Sequence, residues 1–370
     1  MFRKIKGQSQ VIRLLNAAIE NQRISQAYLF HGGDGVGKFM TALYFGMALN
    51  CLSSGEYRPC GVCASCHKFL SLEHPDFIYL FPTPNLELNA EGEIKKAELQ
   101  KQYEAYLKCK IETPWSDYYF SGSTEIRKES ISMLIKRLEL SIREANFRVV
   151  IIENADMMNT ATANAFLKTL EEPPPNTLII LITERLPMML PTILSRCQPL
   201  YFKPLSQHFI REILDEQFQI DSITAKTSAR ISDGNLKTAI RVAQDSSNTI
   251  RTRAFSFVEL AARNDTLEML NQYSRQKETL NKDIIGDLIR YLGIIVNDLA
   301  TVKFCPEEIT NLDRVDFLQN LVHENTVDSV HDYLLTLDDL SRKLEGNINP
   351  TLIIYNLFIG LRNLIHPQEL

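Results

Sequence analysis

At 370 residues, with 45% hydrophobic and 23% charged residues, the sequence describes about two or three ordinary globular domains. A net charge of −5 excludes an overall basic field for nucleic acid, so any such contact must be local or shared with partners. No run reaches the ~18 apolar residues of a membrane span, and MFRKIKGQSQ lacks an apolar signal core. A cytoplasmic protein without a membrane role is expected, in which seven cysteines point to a metal or to buried thiols and not to disulfides.

Residues 8–22 place Val11, Ile12, Leu15, Ala18 and Ile19 at a helical period. The stretch Tyr28 to Phe39, YLFHGGDGVGKF, then runs from an apolar strand through glycines into a helix. This is how a phosphate-binding loop is built: turn N–H groups and the helix N-terminus cradle phosphate oxygens, and a lysine reaches the outer phosphates. Gly32, Gly35, Gly37 and Lys38 supply it. The position after the lysine should carry a hydroxyl for magnesium, and it is Phe39. A helix through Ala42, Leu43, Phe45, Gly46 and Leu49 follows.

Cys51 then precedes Cys60, Cys63 and Cys66 in CLSSGEYRPCGVCASC. Two Cys-x-x-Cys steps share a cysteine, and a fourth thiol lies nearby. Four thiolates suit tetrahedral zinc in a closed, structural site. A redox pair or chance clustering is the alternative. His67 is surplus and expected at the surface.

Phe77 to Phe81 is an expected strand. From Thr83 to about Gly122 the texture becomes charged and helix-prone, with Leu99, Tyr103, Tyr106 and Leu107 on one stripe and Trp115 in TPWSDYYF. This reads as an inserted helix and loop: a solvated face followed by aromatics that pack locally, or a partner surface. Thr124 is the expected N-cap of the next helix. RVVII, 148–152, is a buried parallel strand. In a hydrolysing site such a strand ends in Asp-Glu, for metal and water; here it ends in Glu153-Asn154, and Asn154 cannot accept a proton. Asn159 should cap TATANAFLKTLEE, and Pro173-Pro174-Pro175 should end it. TLIILIT, 177–183, is another buried strand, with Thr183 at the C-terminal end where ligands bind in open α/β sheets. Ser195-Arg196-Cys197 and a last strand, Pro199 to Phe202, follow. Strands alternating with helices after a phosphate loop predict a parallel α/β sheet. Past Lys203-Pro204 the patterns are helical, ending in NINPTLIIYNLFIGLRNLI, apolar nearly all round and suited to a bundle or interface.

The phosphate loop, the four-cysteine knuckle, NAFLKTLEEPPPNT and TILSRCQ occur in one order. In these motifs the chain resembles the bacterial sliding-clamp loader subunits of DNA polymerase III, of the AAA+ class. The resemblance runs from Ile5 to about the end, interrupted near 83–121. It implies an AAA+ P-loop core over 1–203, with the zinc knuckle at 51–66 and the insertion at about 83–121. A helical lid over 204–245 and an all-α collar over 246–370 would follow. It also implies partners: gamma/tau and delta subunits in a hetero-pentameric ring, and through them the sliding clamp and primed DNA. The family has an ATPase branch (gamma/tau) and a branch that has lost hydrolysis (delta prime). Phe39, Glu153 and Asn154 fit the second, as does an end soon after the collar. Lys237 stands near the place of the lid arginine that touches the terminal phosphate, without its planar fork. By resemblance, Arg196 is an arginine finger acting in trans on a neighbour's ATP, Thr183 senses the terminal phosphate, Gly7-Gln8 lie along the adenine, and Cys197 is a buried packing residue. Lys38 is retained, so ATP or ADP in the altered loop stays open. An active gamma-like ATPase using Glu153 for the metal and a zinc-dependent nucleic-acid binder are the alternatives.

Overall fold

The computed structural model describes residues 5–53, 58–87, 94–244, 249–274, 282–321, 327–346 and 349–366. The chain forms two compact units, Met1–Glu212 with Asp233–Ile240, and Ile213–Ser232 with Arg241–Leu370.

The first unit is built on five strands: β1 (Ala27–His31), β2 (Phe77–Leu80), β3 (Arg148–Ile152), β4 (Thr177–Thr183) and β5 (Gln198–Tyr201). They pair in the order β2-β3-β4-β1-β5, all parallel. The α/β core expected from the sequence is therefore present. β3 and β4 lie inside the sheet and every residue of both is buried, which is why residues 149–152 and 178–182 read as unbroken Val/Ile/Leu runs. β5 is an edge and accommodates Pro199, whose missing N–H costs nothing there. It begins one residue earlier than the apolar pattern suggests.

Side chains alternate across the sheet. Tyr28, Phe30, Val149, Ile151, Leu178, Ile180 and Ile182 face one core with Val11 and Leu15 of α1 (Ser9–Glu20), the α2 helix (Lys38–Asn50), and Cys66 and Phe69 of α3 (Ala64–Leu70). Leu29, Val150, Ile152, Ile179 and Leu181 face the other. There they meet Ile131, Leu134 and Leu138 of one later helix, and Phe166 and Leu170 of another. The intervening helix α4 (Ala97–Glu112) belongs to the insertion; α5 spans Lys128–Leu138, α6 Thr160–Glu171 and α7 Pro191–Leu194. Asn159 caps α6 as expected, accepting from Thr162 N at 2.9 Å.

Thr124 is not the cap of α5. Glu125 exchanges backbone hydrogen bonds with Thr83, each 3.2 Å, and Ile126 N donates to Met157 O at 3.2 Å. This extended pairing delays the helix, whose N-cap is Arg127. The insertion packs where its aromatics predict: Tyr103, Tyr106 and Phe120 stack on Phe81 at 5.4, 4.0 and 6.3 Å between ring centroids. Its residues 88–93 lie outside the described ones.

Helices α8 (Gln207–Phe218) and α10 (Leu236–Gln244) each begin in the first unit and end in the second, with α9 (Ser222–Ile231) between them. The second unit is helical among the described residues. Its elements are α11 (Thr249–Ala262), α12 (Thr266–Met269), α13 (Lys282–Phe304), α14 (Val315–Leu321), α15 (Val327–Glu345) and α16 (Pro350–Ile365). The final apolar helix sits inside it: Ile353, Ile354, Leu357, Phe358, Leu361 and Leu364 are buried, and Phe358 meets Phe257 edge-on at 5.6 Å. Asn349 caps that helix; Asn347 and Ile348, where its pattern begins, lie outside the described residues. Among the described residues no helix is long and apolar enough to cross a membrane.

Candidate functional site

The phosphate loop joins β1 to α2 at the C-terminal edge of the sheet. Gly35 (φ 65°) and Gly37 (φ 90°) adopt the left-handed backbone that glycine tolerates. A Cβ on Gly35 would stand 1.9 Å from Asn235 Oδ1, so the segment 233–240 crosses the loop where only glycine fits. Leu236 N there donates to the Gly35 carbonyl at 3.0 Å. Gly32 and the buried Lys38 complete the loop. The Lys38 ammonium donates to the Gly32 carbonyl at 2.8 Å and to that of Gly33. Burial holds its pKa below the ordinary lysine value, against the charges of Glu184, Asp34 and Glu153. Gly7 is also left-handed, at φ 81°, and Gln8 Nε2 ties the loop to the chain after β5 through Val36 O at 3.1 Å and Lys203 O at 2.8 Å.

Phe39 is buried, with its ring centroid 5.1 Å from that of Tyr79. Glu153, at the end of β3, faces the same place. Its Oε1 accepts from Lys110 Nζ at 2.8 Å; its Oε2 accepts from the Tyr79 hydroxyl and, at 3.5 Å, from the Tyr106 hydroxyl. Burial pushes the Glu153 carboxyl up, but the Lys110 charge and these hydrogen bonds prevail and hold it below the usual carboxylate range. Asn154 turns the chain with φ 50°. Thr183 is fully buried; its Oγ1 donates to Asp156 Oδ1 at 2.6 Å and accepts from Arg185 N at 3.0 Å.

Lys237 lies 3.0 Å from Asp34 Oδ2 and 2.9 Å from Asp117 Oδ1. Burial works against its charge, yet the two carboxylates hold its pKa above the ordinary lysine value. Burial and the Asp34 charge push the nearby Glu184 carboxyl up to about 7. The sequence-derived residues Lys38, Phe39, Glu153 and Lys237 thus form one cluster around the loop. Arg196, just past α7, has its own partners: Nε donates to Glu171 Oε1 at 2.7 Å and Nη1 to Thr192 O at 2.8 Å. Cys197 is buried, and burial pushes its thiol up to about 11.

Sequence reasoning missed Lys110, Tyr79, Asp117 and Glu184, and read Tyr106 only as part of the packing stripe of the insertion. One signal was available: Tyr103, Tyr106 and Lys110 recur at i, i+3 and i+7, so the lysine shares the aromatic stripe of α4.

The second cluster is the knuckle. Cys51 ends α2 and Cys63 caps α3, so two helix termini bring the thiols together. The four Sγ atoms all lie within 4.8 Å of one another, with Cys60 and Cys66 4.0 Å apart. A tetrahedral ion with metal–sulfur bonds of ~2.3 Å sets sulfurs ~3.8 Å apart. Backbone N–H groups point at the sulfurs: Cys63 N at 3.3 Å and Val62 N at 3.5 Å from Cys60 Sγ, Cys60 N at 3.4 Å from Cys51 Sγ, and Cys66 N at 3.5 Å from Cys63 Sγ. The donors from Val62 and Cys63 bring the Cys60 thiol down to about 6. Four convergent sulfurs with N–H support fit a metal ion, and this group could hold one. His67 is exposed, as expected.

Residues 7–206 match the family described as "DNA polymerase III, delta subunit". Over 370 residues the chain is 27% identical to DNA polymerase III subunit delta' of Bacillus subtilis, covering 96% of both. It is 28% identical over 245 residues to the tau subunit of the same organism, covering 65% of this chain but only 36% of that one. A gamma subunit-related protein of DNA polymerase III from Thermotoga maritima superposes with a TM-score of 0.49 at 16% identity, covering 97% of this chain and 100% of that one. With more than half of its length matched, the chain belongs to the DNA polymerase III delta subunit family.

Proposed function

We propose that this chain is the delta prime subunit of the DNA polymerase III clamp loader, a member of the ring that does not itself turn over ATP. The observation that carries the reading is at the two metal-holding positions. Phe39 offers no oxygen, and both oxygens of Glu153 are engaged by Lys110 and tyrosine hydroxyls. The partner Asn154 has no basic oxygen to activate water. A gamma-like ATPase would need each of these undone. The near full-length likeness to a delta' subunit supports the same reading.

In this reading, residues 1–203 are the AAA+ core, 204–245 the lid and 246–370 the collar that joins gamma/tau and delta in a five-subunit ring. Arg196 is the residue that acts. Released from Glu171, its guanidinium would reach the neighbouring gamma/tau subunit's ATP and stabilise charge developing on the γ-phosphate. The ring as a whole would place the sliding clamp on primed DNA. Cys51, Cys60, Cys63 and Cys66 would hold a structural zinc, which supplies folding energy and no chemistry.

Reconstitution with gamma/tau and delta subunits tests this. Arg196→Ala should assemble normally and lower turnover at the one site it serves by about a thousandfold, seen as a partial loss in the whole ring. Unchanged ATPase in the assembled variant would remove the finger. Magnesium-dependent ATP hydrolysis by the isolated chain, abolished by Lys38→Ala, would remove the non-hydrolysing reading.

A further inference from the structure

The inserted segment supplies two of the charges at the phosphate loop, Lys110 and Asp117. In a loop that takes a nucleotide with a divalent cation, the cation lies between the hydroxyl after the loop lysine and the carboxylate ending the buried strand. Those positions are Phe39 and Glu153. One ammonium serves both: Lys110 Nζ lies 2.8 Å from Glu153 Oε1 and 4.2 Å from the centroid of the Phe39 ring. The side chains of Lys110 and Glu153 are 14% and 17% exposed, so the pair is largely withdrawn from water. Tyr106, one turn before Lys110, also reaches Glu153 and stacks on Phe81, which fixes α4 against the end of β2. Asp117, also from the insertion, pairs with Lys237. That lysine also pairs with Asp34 of the loop and repels Lys38, so it borders the space a bound phosphate would take. The third ammonium, Lys38, is folded back on the Gly32 and Gly33 carbonyls of its own loop.

We propose that the insertion is the resident ligand of the phosphate loop: Lys110 takes the place of the divalent cation, Asp117 takes the place of a nucleotide's terminal phosphate on Lys237, and magnesium nucleotides are thereby excluded. An incoming magnesium ion would meet an ammonium at its own position. Incoming phosphates would have to displace Asp117 from Lys237 and the loop carbonyls from Lys38. Three lysines face Asp34, Asp117, Glu153 and Glu184, so no net positive well draws a polyphosphate in. The Phe39 ring helps: its face attracts the ammonium, and it offers a metal ion no oxygen ligand. The substitution that removes a metal ligand thus also creates the seat of the replacement cation.

This inference rests on the non-hydrolysing reading but is tested separately, with the full chain and a fluorescent ATP analogue, N-methylanthraniloyl-ATP, titrated with magnesium or with EDTA. The wild-type chain should give no saturable binding below about 1 mM in either condition, a Kd above the millimolar range. Asp117→Asn, at an exposed position, should raise affinity at least about tenfold. Lys110→Met combined with Glu153→Leu removes both members of the buried pair, so neither charge is left alone. Added to Asp117→Asn, it should raise affinity further. Micromolar, magnesium-dependent binding by the wild type without hydrolysis would overturn the resident ligand and leave the non-hydrolysing reading standing. Cooperatively melting variants with unchanged affinity would overturn it as well. Hydrolysis by the wild type would overturn both.

Discussion

The cysteine knuckle and the phosphate loop are both ligand sites by residue pattern, and both lie at ends of the same helix, α2. They differ in how their polar groups are satisfied. At the knuckle four like atoms converge with backbone N–H groups directed at them, and the thiols have no opposite charge among themselves. At the loop each cation already has a protein oxygen: Lys38 a carbonyl, Lys110 and Lys237 carboxylates. A site that converges like donors calls for an external partner. A site whose charges are paired internally is complete as it stands. Retention of a motif therefore says less about ligand binding than the partners of its charged atoms do.

The largest expected effect breaks the knuckle. With zinc bound, its removal by a chelator should cost more than about 4 kcal/mol, the class of metal loss, and should destabilise 51–70 first in hydrogen exchange. Cys66→Ser should cost as much, while Cys305→Ser, at an exposed thiol outside the group, should cost nothing measurable. Chemical denaturation with and without zinc reads this directly. Indifference to chelation would place both clusters in the same internally complete class.

Next comes Lys110→Met. It leaves the Glu153 carboxylate buried without its cation, and breaking such a pair costs about 3–5 kcal/mol. The pH dependence gives a sharper signature. In the wild type the Glu153 carboxyl is held below its ordinary value, so its stabilisation is complete above that value and is lost as pH falls through the lowered one. In Lys110→Met burial dominates and raises the same pKa. Stability from this group is then greatest in acid and falls as pH rises past the ordinary carboxylate value. Urea melts at about pH 4 and pH 7 should therefore show a smaller difference between variant and wild type in acid. An equal loss at both would mean that Lys110 acts through packing on Phe39 and not through its charge.

Much of this was legible in the sequence, and the reason is locality. β3 and β4 declare themselves because central parallel strands are buried on both faces. The knuckle is legible because three of its cysteines lie within seven residues and the fourth ends the preceding helix. The loop glycines are legible because left-handed backbone needs them. What the sequence concealed is long-range. Lys110 and Glu153 are 43 residues apart, and a lysine on a charge-rich helix reads as a solvated face until its aromatic neighbours are seen to anchor that face on Phe81. Thr124 misled for a related reason. Its capping pattern is local, whereas the pairing of Glu125 with Thr83 closes across the whole insertion.

The smallest expected effect concerns Asp117→Asn. The Asp117 and Lys237 side chains are 37% and 26% exposed, so solvent screens their attraction, and Lys237 keeps Asp34 at 3.0 Å. The stability change should stay under about 1 kcal/mol, within the range of a surface ion pair. That small cost is what makes the variant informative. A contact worth little to folding can still decide occupancy, because an incoming phosphate competes with Asp117 for the same ammonium. If the thermal transition barely moves while nucleotide affinity rises tenfold, Asp117 acts as a stand-in anion. If stability falls by several kcal/mol, Asp117 instead holds the insertion together. The loop would then be closed by the shape of the insertion, and the charge on Lys237 would be incidental.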